Sequence, residues 1–199
     1  MNELERELRT AALDLPDHPP DVSGRAAEEG LVDVAYATVD SPLGGLTVAA
    51  TPAGLVRVSY DEFRERAAVL EQLAARVSPR VLEAPARLDE IRRELDEYFE
   101  GRRTSFGVPI DWSHLAGFTR RVLRRTASIP FGEVSSYAEV AAGAGSPRAV
   151  RAAGNALGAN PMPVVVPCHR VLRTGGGLGG YTGGTERKEF LLRLEGALL

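Results

Sequence analysis

Cysteine and lysine are almost absent from this chain of 199 residues, and no long apolar run occurs in it. The single cysteine, Cys168, can form neither an internal disulfide nor a multi-cysteine zinc site, so any role it has is that of a free thiol. No stretch approaches the ~20 apolar residues that a membrane-spanning helix needs, which excludes such a helix. The N-terminus is charged and acidic, unlike a secretory signal, and we therefore expect a cytoplasmic protein.

The overall composition is that of a globular protein, but its charge is unevenly distributed. Hydrophobic residues make up 44% of the chain and charged residues 26%, which excludes collagen-like, mucin-like and disordered sequences. Residues 1–116 contain 13 basic and 22 acidic residues, whereas residues 117–199 contain 11 basic and 5 acidic residues. The basic part is the candidate for binding a polyanion. Arginine supplies 23 of the 24 basic residues, which also fits a general compositional bias.

The first half of the chain indicates a short extension followed by an α/β domain. Helical spacing within residues 1–15 is followed by prolines and a glycine, so residues 1–30 are interpreted as a short helix and a linker. From Asp61 onward the apolar period predicts two amphipathic helices, which separate near Pro79 and Pro85. Before them, residues 31–109 begin with three strand-like runs that predict an antiparallel β-meander: Val34–Val39, Gly45–Ala50 and Leu55–Tyr60.

Residues 110–199 are rich in alanine, glycine and arginine and predict a second, mostly helical domain. A helix through Phe118 comes first. The pattern Ser136-Tyr137-Ala138-Glu139 is typical of a capping box at the start of a further helix. That helix should stop at the turn Gly143-Ala144-Gly145, after which Ser146 should cap a second helix that runs to Gly158. Helix, glycine turn and helix together predict a helix-turn-helix.

The second of these helices would present Arg148, Arg151 and Asn155 on one polar face. Its other faces are mostly alanine, which would let the helix pack closely against a partner. An ordinary solvated face explains the same spacing, and the spacing by itself does not separate that alternative from a DNA-binding face.

The segment Pro167-Cys168-His169-Arg170-Val171 combines the single thiol with a histidine. A cysteine after an apolar β-branched run is expected to be buried, and burial raises the pKa of a thiol and makes it inert. A neighbouring imidazole has the opposite effect and favours the thiolate, from an ordinary thiol pKa of about 8.5. Adjacent side chains on a strand point apart, so coupling of Cys168 to His169 needs a turn or a bridging water.

Around this segment the chain resembles the O6-alkylguanine-DNA alkyltransferases, also called methylated-DNA–protein-cysteine methyltransferases. The Pro-Cys-His-Arg-Val sequence is similar to the active-site signature of that family. The resemblance implies an α/β protein with a ribonuclease-H-like N-terminal β-meander with helices, and a mostly helical C-terminal domain that contains the helix-turn-helix. It extends from about Val34 to Ala197, through segments that agree in order and spacing: Ser41–Thr47, Ile129–Tyr137, Arg148–Gly154, Gly179–Gly184 and Lys188–Gly196.

The resemblance implies direct reversal of DNA damage, in which Cys168 irreversibly accepts the alkyl group of O6-alkylguanine. Each molecule would react once, because neither water nor imidazole displaces a thiolate from saturated carbon at a useful rate. Reaction with O4-alkylthymine stays open. The implied partner is double-stranded DNA, bound through the minor groove by a monomer, with no membrane and no cofactor. The cysteines that hold zinc in some relatives are missing before Cys168, and no metal is expected.

The resemblance also assigns roles to residues around the thiol. Cys168 would be the nucleophile, His169 would remove its proton through a water, and Glu195 would orient the imidazole. Tyr137 and Tyr181 are the candidate donors to the guanine that leaves. Asn160 would support the active-site turn. Leu178 and Thr182, together with Cys168, would read the flipped base through backbone groups.

A second set of residues would handle the duplex. Arg151 matches an arginine finger that fills the gap left by the extruded nucleotide, and Tyr137 would press on the adjacent phosphate. The remaining members would contact phosphates or permit a close approach of the helix to DNA; these are Arg148, Arg124, Ala149 and Ala152.

Two other classes of function compete with this interpretation. A DNA-binding regulator would use the helix-turn-helix and leave Cys168 structural, so it would accept no alkyl group. A Cys-His hydrolase would turn over repeatedly on an ester or peptide, although no oxyanion-stabilising device is recognisable around Cys168 in the sequence.

Overall fold

A computed structural model describes residues 30–198, and the predicted helix at 1–15 lies outside this range. The N-terminal part forms a four-stranded sheet with the strand order β3-β2-β1-β4. Strand β1 (Val34–Val39) pairs antiparallel with β2 (Leu46–Thr51), which pairs antiparallel with β3 (Gly54–Tyr60). The predicted meander is confirmed, but the parallel edge strand β4 (Val81–Glu83) was not predicted, because three residues are too few to display a period.

Two helices cover opposite faces of this sheet, as alternation along the strands requires. Helix α1 (Arg66–Arg76) packs Val69 and Leu73 against one face, which is lined by Val34, Ala49 and Val56. Helix α2 (Asp89–Phe99) follows a 3₁₀ turn at Pro85–Leu88 and packs against the other face. The apolar side of α2 consists of Ile91, Leu95 and Tyr98, all buried.

The C-terminal part is mostly helical, as expected. Its helices are α3 (Gly117–Ala127), α4 (Tyr137–Gly143), α5 (Val150–Gly158) and α6 (Thr185–Leu194). A two-stranded parallel sheet joins β5 (Ser135–Ser136) to β6 (Val171–Leu172), and a 3₁₀ turn at Cys168–Arg170 leads directly into β6. This small sheet ties the start of α4 to the segment that carries the cysteine.

The start of α4 agrees with the sequence, whereas the start of α5 does not. The Ser136 hydroxyl accepts from the Glu139 amide and the Glu139 carboxylate accepts from the Ser136 amide, which completes the predicted capping box. Ser146 caps nothing, because α5 begins only at Val150. Its carbonyl instead accepts the Ala149 amide in a separate turn. Arg148 therefore precedes the helix and does not share a helical face with Arg151.

One continuous core joins the two parts of the chain. The main apolar cluster includes Val58 and Leu95 from the first part together with Val122 and Leu191 from the second. The connecting segment runs beside β3, where the Leu55 amide donates to the Pro109 carbonyl over 2.8 Å. A domain boundary at residue 110 stays a prediction. No helix within residues 30–198 is long and apolar enough to span a membrane.

Candidate active site

Cys168 lies at the start of the 3₁₀ turn and is 4% exposed. The approach to it is strained, since Val164 has a φ of 73°, a conformation that β-branched residues rarely adopt. Asn160 braces this turn: its amide nitrogen donates to the Val166 carbonyl over 2.8 Å and to Cys168 Sγ over 3.2 Å, while its carbonyl oxygen accepts the Met162 amide. Asn160 thus sits where the family resemblance places a supporting side chain.

The thiol of Cys168 is protonated at neutral pH. Burial raises its pKa to about 11, and the hydrogen bond from Asn160 and the positive charge of Lys188 offset only part of this effect. Lys188 is itself fully buried and donates to the Val171 carbonyl. Desolvation therefore outweighs the local charges, and the neighbouring imidazole does not hold Cys168 as a thiolate at rest.

His169 and Glu195 form a buried pair behind the thiol. His169 Nε2 lies 2.9 Å from Glu195 Oε1, and both side chains are inaccessible to solvent. Arg170 donates to both oxygens of the same carboxylate over 2.8 Å. Burial alone would raise the pKa of Glu195, but the bonds from His169 and Arg170 hold it at about 2. Glu195 is therefore ionised.

The ionised carboxylate fixes the tautomer of His169. Because Glu195 can only accept, the proton of the neutral imidazole must be on Nε2. The lone pair is then on Nδ1, a buried atom with no hydrogen-bond partner among the described residues. Burial lowers the pKa of His169 against the opposing effect of Glu195, so the ring is neutral at pH 7. Nδ1 is thus available as a base.

Tyr98 completes this network and was missed by sequence reasoning. Its hydroxyl, on helix α2 of the N-terminal part, donates to Glu195 Oε1 over 2.6 Å. The apolar spacing of α2 predicts Tyr98 only as a core residue. The usable signal was that a buried tyrosine hydroxyl needs a partner.

The two predicted tyrosines have different surroundings. The Tyr181 hydroxyl lies 2.8 Å from the Tyr60 hydroxyl at the end of β3, and its ring stands edge-on to His169. The Tyr137 hydroxyl makes only a long contact of 3.4 Å to the Gly180 carbonyl. Of the two, Tyr137 therefore has the less engaged hydroxyl.

A cavity of about 680 Å³ opens above Cys168 and brings five of the predicted residues together. Arg151 and Arg173 line its rim, and both are exposed. A larger groove of about 940 Å³ along α2 contains neither Cys168 nor any other sequence-predicted site residue, so we place the site at the smaller cavity. The sequence-predicted residues that line this cavity are Cys168, Tyr137, Tyr181, Thr182 and Arg151.

Some predicted residues do not line the cavity. Leu178 lies half-buried in the loop nearby, and Arg124 stacks its guanidinium on the Trp112 ring, 5.5 Å from the centroid. Of the alanines, Ala152 is exposed and Ala149 half-buried, whereas Ala153 is buried and faces the core. Within residues 30–198, no group of three or more His, Cys, Asp or Glu side chains could hold a metal ion.

Family models match both parts of the chain. Residues 34–112 match the ribonuclease-like domain of 6-O-methylguanine DNA methyltransferase, and residues 117–197 match the DNA binding domain of the same enzyme. The chain belongs to the 6-O-methylguanine DNA methyltransferase family.

Similar members of this family align with this chain over nearly their whole length. A methylated-DNA–protein-cysteine methyltransferase of Mycolicibacterium paratuberculosis is 40% identical over 81% of this chain and 92% of its own. The constitutive enzyme of Bacillus subtilis is 36% identical over 80% of this chain and 94% of its own. The crystal structure of Mycobacterium tuberculosis OGT in complex with DNA is 38% identical, with a TM-score of 0.69 over 82% of this chain and 93% of that one.

Proposed function

We propose that this protein repairs alkylated DNA by transferring the alkyl group from O6 of guanine to Cys168. The class of reaction follows from the family assignment. Cys168 is assigned as the acceptor because of its position. It is the single cysteine of the chain, and it lines a cavity backed by a buried histidine and carboxylate.

The reaction is a displacement at saturated carbon. A water bridges Cys168 to His169 Nδ1, which takes the thiol proton as sulfur attacks the alkyl carbon. The carbon–O6 bond breaks and its electron pair remains on the guanine ring, which a donor then protonates. Tyr137 is the better placed donor, because the Tyr181 hydroxyl is engaged by Tyr60. The imidazolium formed is stabilised by ionised Glu195.

The product is a thioether, so each molecule reacts once. Backbone groups of Cys168, Leu178 and Thr182 would read the edge of the extruded base. Arg151 would enter the duplex from the minor groove and fill the gap, since it is exposed on α5 at the rim of the cavity. Tyr137, Arg148 and Arg124 would contact phosphates, with Ala149 and Ala152 allowing close approach. We propose that the protein acts as a monomer and needs no cofactor.

Intact-mass measurement after incubation with duplex DNA containing O6-methylguanine tests this function. The protein should gain one methyl group in place of one proton, at Cys168, with a limit of one per molecule. The matched variant Cys168→Ala should gain none while still binding duplex. A wild-type protein that binds the duplex and gains no methyl group would be a DNA-binding module, and repeated cleavage of a small ester would indicate a thiol hydrolase.

A further inference from the structure

We propose that Tyr60 is a positioning residue for alkyl transfer, because its hydroxyl fixes Tyr181 as the cavity wall beside Cys168. This inference rests on the proposed function, since the position of Tyr181 affects a rate only if the cavity receives the alkylated base. Nothing in the local sequence around Tyr60 indicates such a role, and Tyr60 is separated from Tyr181 by 121 positions.

Tyr60 is a rigid support. It is the last residue of β3, is 3% exposed, and pairs through its backbone with Leu46 of the neighbouring strand. The Arg187 guanidinium lies over its ring, 5.1 Å from the centroid, and also over the ring of Phe63 at 4.7 Å. Arg187 in turn pairs with Glu62. A tyrosine held in this way keeps its hydroxyl in one place.

The loop that Tyr60 supports has little rigidity of its own. Residues 173–184 include seven glycines, and glycine loses more conformational freedom on ordering than any other residue. The Tyr60 ring lies directly against this loop: a Cβ at Gly183 would come within 2.6 Å of Tyr60 Cε2. Other side chains also contact this loop: the Thr182 hydroxyl donates to the Gly158 carbonyl over 3.1 Å, Arg187 donates to the Gly183 carbonyl over 3.2 Å, and the Tyr137 hydroxyl makes the long contact to Gly180. Tyr60 therefore connects the loop to β3, and Thr182 connects it to the end of α5.

The contact also determines which hydroxyl can assist the reaction. The two phenol oxygens are 2.8 Å apart and the rings meet edge to face at 64°. This arrangement turns the Tyr181 hydroxyl toward the sheet and leaves its ring between His169 and the cavity. Tyr60 thus acts through Tyr181 on the shape of the cavity, and it does not touch the reacting atoms.

Single-turnover rates of methyl transfer from duplex O6-methylguanine test this role in Tyr60→Phe, Tyr181→Phe and the double variant. Loss of one hydrogen bond corresponds to a slowing of about threefold to tenfold, which we expect for Tyr60→Phe. In the Tyr181→Phe background, Tyr60→Phe should add nothing, because the hydroxyl it would hold is already gone. Tyr36→Phe is the matched control: its hydroxyl contacts Glu83 at 3.4 Å, away from the cavity, and its rate should equal that of the wild type.

A second readout is independent of the chemistry. Hydrogen exchange of backbone amides in residues 173–184 should accelerate in Tyr60→Phe and stay unchanged in Tyr36→Phe. Unchanged exchange and an unchanged rate would overturn the proposal, as would equal slowing in the wild-type and Tyr181→Phe backgrounds. If exchange accelerates while the wild-type protein accepts no methyl group, the positioning of the loop stands, but the proposed function and any effect on transfer fall.

Discussion

At the scale of single residues, burial governs the acid–base state of the site. The adjacent cysteine and histidine suggest a thiolate–imidazolium pair, yet burial favours the neutral forms of both. Cys168 has a pKa raised to about 11, and the pKa of His169 is lowered. A buried neutral thiol beside a buried neutral base is stable at rest and ionises only when the reaction proceeds. This state suits a protein whose single thiol reacts once.

The pH dependence of methyl transfer follows from these directions. His169 has its pKa below the ordinary 6.5, so it is an unprotonated base at pH 7 and is lost as a base only in more acidic solution. Cys168 does not ionise until about pH 11. The single-turnover rate should therefore not rise between about pH 7 and 9, where Lys188, whose pKa burial lowers to about 8, loses the charge that favours the thiolate. The rate should fall in solution more acidic than the ordinary imidazole pKa of 6.5. A rise in rate with an inflection near the ordinary thiol pKa of about 8.5 would contradict this assignment.

At the scale of secondary-structure elements, the sequence correctly predicts a feature when all the groups that form it lie within a few residues of one another. The capping box at Ser136 and Glu139 satisfies two backbone amides within four residues, and it forms as predicted. Ser146 and Pro147 offer an equally good local start for a helix, but the chain makes a separate turn before α5 begins at Val150. Three-residue β4 depends on its pairing with β1, which no local pattern reveals.

This contrast between two serines gives a stability prediction. Ser136→Ala removes the side-chain acceptor at the start of α4 and should lower the free energy of unfolding by about 1 kcal/mol. Ser146→Ala, the matched control, should leave it unchanged because Ser146 caps no helix. Urea denaturation of the two variants measures both values. Equal losses would mean that the contribution of Ser136 is not that of a helix cap.

At the scale of the whole molecule, the site depends on contacts between distant parts of the chain. Glu195 receives the Tyr98 hydroxyl from 97 positions away, and Tyr181 meets Tyr60 from 121 positions away. The family resemblance indicated Cys168, His169 and Glu195 from the sequence, because their motifs are local. It could not indicate Tyr60 or Tyr98, since hydrogen bonds across such separations leave no spacing pattern and arise only when the sheet packs on the helical part.

The charge distribution of the whole molecule leads to a last prediction, on DNA affinity. Residues 1–116 carry a net charge of −9 and residues 117–199 one of +6, so duplex should bind to the C-terminal part and be repelled by the rest. Each phosphate neutralised contributes about −0.9 to the slope of log affinity against log salt. Because only a few phosphate contacts are proposed, the slope of log affinity against log salt should be negative and shallow.

Two arginine variants separate this binding from non-specific attraction. Arg151→Ala removes an exposed cation at the rim of the cavity and should weaken duplex binding. If its guanidinium fills the gap in the base stack, the slope should stay near the wild-type value, whereas a phosphate contact would make the slope shallower by about 1. Arg80→Ala is the control, because Arg80 lies in the acidic part and pairs with Asp33 at 2.6 Å. Its affinity and slope should match the wild type.

An affinity independent of salt would contradict binding of the duplex through the basic part, because release of counterions is unavoidable when basic side chains neutralise phosphates.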